Sequence, residues 1–159
     1  MVQLYIALWN VEAEAYHWAL VCSESRPSSK QPLSVFQISD ESESKKWETR
    51  HNTALILPDN ERFLGCVELL PFKEDESVRL EDLTELVQDY GPEAPEGYDH
   101  SVRWSSSRWV MCILKDLSEE HGLIDLVVDE SFHQRVSARG LTLEWAGQDN
   151  EHGIVVVDL

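Results

Sequence analysis

Two features of the chain combine residue types that do chemistry. His17 is the one residue of the apolar run Ala15 to Cys22 whose side chain ordinarily titrates near neutral pH. A buried imidazole must find partners for its ring nitrogens, because an unpaired polar group in a core costs about 1–3 kcal/mol. An imidazole held neutral can also accept a proton near pH 7. The second feature is the run Ser105, Ser106 and Ser107, separated only by Arg108 from the apolar stretch that starts at Trp109. A serine hydroxyl attacks a carbonyl only if a base takes its proton at that moment. A histidine facing such a serine suggests acyl transfer or hydrolysis; a histidine alone suggests proton transfer or a structural bond. Beside the serines, Arg103 and Arg108 offer charge to a carboxylate or oxyanion. Trp104 and Trp109 flank them and could wall an apolar pocket.

Other chemistries lack their residues. The six histidines are His17, His51, His100, His121, His133 and His152, and none pairs with another His or a Cys at a short ligand spacing. No metal and no other cofactor is expected. The seven glycines are scattered and form no phosphate loop. Cys22, Cys66 and Cys112 each sit among apolar residues. An odd number in such settings reads as buried free thiols in a reducing compartment, hence a cytoplasmic location. Cys112 lies two turns beyond the serines and has the pattern of a core residue. The acidic runs Asp40 to Glu43 and Glu74 to Glu76 read as solvated loops.

The elements that position these residues follow from periodicity. Val2 to Trp9 is apolar on both alternating faces, so it is a central strand with cover on each side. Asn10 to Glu14 links it to a second strand, Ala15 to Cys22, in an antiparallel hairpin. In that strand His17, Ala19 and Val21 share one face; Tyr16, Trp18, Leu20 and Cys22 share the other. Leu33 to Ser39, Thr53 to Leu57 and Leu64 to Phe72 are further strands. The second half changes period. Leu80, Leu83, Leu86, Val87 and Tyr90 mark a helix, Ser105 to Leu117 a second, and Asp129 to Arg139 a third closed by Gly140. Leu141 to Trp145 has no decided period, and Ile154 to Leu159 reads as a terminal strand or an ordered tail. The expected fold is α+β, with an antiparallel sheet packed on two or three helices in one domain over 1–159.

Thirty acidic residues against thirteen basic ones leave a net charge of -17, which repels phosphate backbones and anionic lipid. Nucleic acid is thereby excluded as a partner, and no apolar run reaches the ~20 residues of a membrane span. A small-molecule substrate or a protein partner remains, and the oligomeric state is open.

The stretch Tyr16-His17-Trp18-Ala19-Leu20 is similar to the histidine strand of an uncharacterised fungal family related to circularly permuted papain-like proteins of the NlpC and lecithin-retinol acyltransferase type. The resemblance runs loosely from Leu4 to Leu117. It implies that His17 is the general base and that Gln37 stands where a second histidine often orients it. It also implies that Ser106 replaces the cysteine that opens the helix, with Ser105 and Ser107 one residue to either side. Trp18, Trp104, Ser105, Ser107 and Arg108 would then bind substrate. Serine gains less from a helix start than cysteine does, because its hydroxyl stays protonated. Three functions follow from the substitution: a Ser-His-Gln acyl transferase or hydrolase, an inactive binding module, or a cyclase or isomerase in which His17 moves a proton without a covalent intermediate.

Overall fold

A computed structural model describes residues 2–12, 15–73, 77–147 and 153–159. The acidic run 74–76, His152 and part of the 10–14 link lie outside the described residues. The hairpin is β1 (Gln3–Glu12) and β2 (Ala15–Ser23), antiparallel with Trp9 opposite His17. β7 (Phe63–Glu68) pairs with the free edge of β1, β3 (Leu33–Phe36) with that of β2, and β6 (Asn52–Leu55) with β3. β8 (Val156–Asp158) closes the six-stranded order β6-β3-β2-β1-β7-β8 and runs parallel to β7. The sheet is therefore antiparallel except at that edge. The chain visits three helices between β7 and β8, and so long a return permits a parallel pairing.

The two apolar faces of β1 explain the layering. Leu4, Ile6 and Leu8 pack with Trp18, Leu20 and Cys22 against α1 (Leu80–Gln88), α2 (Ser106–Glu119) and α3 (Glu130–Ala146). Tyr5, Ala7 and Trp9 pack with Ala19, Val21 and Val35 on the opposite face. That second cluster contains no helical residue; Leu57 and Ile154, from irregular segments, complete it. The fold is a single compact α+β domain, and among the described residues no helix is long and apolar enough to cross a membrane.

Three elements differ from the periodicity. The segment Leu33 to Ser39 breaks at Gln37: β3 stops at Phe36, and β4 (Ile38–Ser39) turns away to pair with β5 (Glu48–Thr49) in a separate ribbon. The segment 64–72 leaves the ladder after Glu68. The third helix continues through Gly140 to Ala146. Gly140 is there for proximity, since a Cβ would stand 2.5 Å from the Tyr16 ring. The cap falls instead at Gly147, with φ of 68°.

Candidate functional site

His17 belongs to the helix-free face of β2. Its ring lies 5.4 Å, centroid to centroid, from that of Trp9, its cross-strand partner. Its Nε2 is 2.6 Å from Oε1 of Gln37. An amide oxygen only accepts, so this contact places the proton on Nε2 and leaves Nδ1 with its lone pair. Among the described residues Nδ1 has no hydrogen-bond partner. Burial holds the imidazole below its ordinary value of 6.5, opposed by the Gln37 bond and by the carboxylates of Glu41 and Asp59. At neutral pH His17 is thus an uncharged base in one tautomer.

The break after Phe36 makes this contact. Gln37 is the hinge residue, and its backbone N–H donates to Nδ1 of His51 at 3.2 Å. His51 in turn stacks on Trp109, 5.7 Å away, and meets the edge of Phe36. The core therefore anchors the residue that orients His17. A cavity of about 470 Å³ opens beside this pair, lined by Trp9, His17, Gln37, Arg50, Asp59 and Arg62 among others. Its size falls within the range of small-molecule sites. The Trp9 indole N–H donates to Oδ1 of Asp59 at 2.8 Å and fixes that carboxylate on the cavity wall.

The serine run does not join this site. The Oγ of Ser106 accepts the backbone N–H of Trp18 at 3.1 Å. Trp18 lies two residues beyond Leu20, the last β2 residue paired with β3, so the hydroxyl takes over where the ladder stops. The Trp18 side chain points toward the helices, stacked on His133 at 5.1 Å. Alternation then sends His17 to the other face, away from α2. The expected Ser106–His17 pair is corrected accordingly: His17 bonds to Gln37, and Ser106 satisfies the strand edge.

The remaining expected binding residues are also engaged elsewhere. Ser105 is the N-cap of α2 and accepts from Arg108 N–H at 3.4 Å. Ser107 Oγ lies 3.3 Å from Nε2 of His133. Arg108 forms an ion pair with Glu130 at 2.8 Å. Trp18 and Trp104 are core residues, the latter donating its indole N–H to the carbonyl of Pro92. None of these five lines the His17 cavity. Trp109 is likewise buried, its indole N–H on the carbonyl of Gly91. The cysteines are free, with Cys22 and Cys66 buried and Cys112 partly so. Burial pushes the Cys66 thiol up to about 12, so it supplies no thiolate.

Sequence reasoning missed Trp9, Asp59, Arg50 and Arg62. Hairpin register was a usable signal for Trp9, because antiparallel pairing of the two strands sets it opposite His17. The other three come from turns and short strands that carry no periodicity. No family model, no curated protein and no solved structure matches the chain.

Proposed function

We propose that the His17 cavity binds a small polar molecule and that His17 transfers a proton on it, as a cyclase or isomerase requires, without a serine intermediate. The carrying observation is the 2.6 Å contact between His17 Nε2 and Gln37 Oε1 at the cavity wall. It spends one ring nitrogen on orientation and keeps the other as base. In this reading Nδ1 takes a proton from a carbon beside a carbonyl and returns it at a second position, so no oxidant or covalent adduct is needed. Arg50 and Arg62 provide positive charge for a substrate carboxylate or a developing enolate. The acyl-transfer version through Ser106 loses its support, because that hydroxyl is engaged by Trp18.

The kinship with permuted papain-like proteins belongs to the same proposal. Its support is that α2 begins against the histidine strand, with Ser106 bonded one residue along from His17. A cytoplasmic setting is supported by the three unpaired cysteines. The test is solvent exchange. A panel of 2-oxo and 3-oxo carboxylates is incubated with the protein in D₂O and followed by NMR. The expected result is deuterium at the acidic C–H of a bound member, reduced about 10²- to 10⁴-fold in His17→Ala and unchanged in Ser106→Ala. Equal losses in both variants would refute the reading.

A further inference from the structure

The side of the sheet that carries the helices holds a second group of polar residues, which the His17 cavity does not use. Hydrogen bonds at the start of α2 form a directed chain. The N–H of Arg108 donates to Ser105 Oγ, so the Ser105 hydroxyl is free to donate to Ser107 Oγ, 2.9 Å away. Ser107 can then donate its own proton to Nε2 of His133 at 3.3 Å. That direction makes Nδ1 the protonated nitrogen of His133, and Nδ1 lies 3.9 Å from Oε1 of Glu130. Arg108 grips both Glu130 oxygens, at 2.8 and 3.3 Å. The indole of Trp18 stacks on the imidazole with an interplanar angle of 18° and holds its plane. Burial keeps His133 below its ordinary value, aided by Arg108 and opposed by Glu130, so it is an unprotonated acceptor at neutral pH.

We propose that Ser107 is an activated nucleophile for small acyl esters, with His133 as its general base and Glu130 as the positioning residue of that base. Ser107 is only 6% exposed, which restricts the acyl group to a small one. His133 and Glu130 reach solvent, with side chains 26% and 59% exposed. In the first step Ser107 Oγ bonds to the ester carbonyl carbon and its proton passes to His133 Nε2. The N–H groups of Ser106 and Ser107 have no intrahelical acceptor and can hold the oxyanion. The ester C–O bond then breaks, and the departing alkoxide takes the proton from His133 and leaves as the alcohol. Water attacks the acyl-serine with His133 again as base, which releases the carboxylic acid and restores Ser107.

The probe is p-nitrophenyl acetate, with release of nitrophenol followed by absorbance and the acetylated residue located by peptide mass spectrometry. Acetylation of Ser107 is expected in the wild type, with the rate reduced about 10²- to 10⁴-fold in His133→Ala. His17→Ala should label like the wild type, which separates this centre from the His17 cavity. In Glu130→Gln the inflection of the pH–rate profile should move to lower pH, because the carboxylate that favours imidazolium is gone. Ser107→Cys guards against loss of folding in the other variants: its thiol should be alkylated by iodoacetamide faster than Cys112, and only while His133 is present. Acetylation at another residue, or at Ser107 with a rate indifferent to His133, overturns the proposal.

Discussion

Replacing Gln37 by Met tests how the His17 site is held. Met keeps the length and the apolar body of the side chain and deletes the acceptor on His17 Nε2. The imidazole N–H is then left without its partner in a partly buried setting, at a cost of about 1–3 kcal/mol. For a domain of 159 residues this predicts a fall in Tm of about 2 to 12 °C. The electrostatic consequence is separate. The Gln37 bond favours the charged imidazole and burial disfavours it, so removing the bond lets burial dominate and moves the His17 pKa further below 6.5. Long-range ¹H–¹⁵N spectra through a pH titration read both quantities. In the wild type, Nε2 should carry the proton at neutral pH and Nδ1 should not; in Gln37→Met the tautomers should mix and the midpoint should fall. A wild-type His17 protonated on Nδ1, or a midpoint at or above 6.5, would refute the reasoning about this site.

Two further predictions concern stability. Burial lowers the folded-state pKa of His17, His51 and His133, so the unfolded chain binds more protons and stability rises with pH across that window. The stabilisation should be complete above the ordinary value of 6.5 and be lost as pH falls from there through the lowered folded-state values, as followed by urea midpoints between pH 8 and 5. In His51→Gln, which keeps an acceptor for the Gln37 N–H, the slope should be shallower; a variant with the wild-type slope removes His51 from the account. Gly140→Ala sets a helix-propensity gain of about 1 kcal/mol against an overpacking cost of about 1–3 kcal/mol. The added Cβ would lie 2.5 Å from the Tyr16 ring, so net destabilisation is expected by urea unfolding, and a more stable variant would contradict it.

Much of the architecture could be read from periodicity because it depends on local burial. The hairpin, the central place of β1 and the buried stripe of α2 follow from alternating and helical repeats of apolar side chains. Gly140 was misleading for a physical reason. A glycine that ends a helix and one that admits a neighbouring ring look alike in sequence, and only the Tyr16 contact separates them.

The sequence by itself determined that His17 and Trp18 lie on opposite faces of β2, since strand side chains alternate. It could not determine which face α2 would cover, because both were apolar enough to be buried. That choice belongs to the tertiary structure, and it decides the chemistry. Packing α2 on the Trp18 face takes Ser106 to the edge of β2 and Ser107 to His133, a residue 26 positions away on another helix. His17 is left on the far face, where the break between β3 and β4 at Gln37 supplies its partner. Periodicity reports burial and not partnership, so the strand histidine and the serine run were legible while their separation was not.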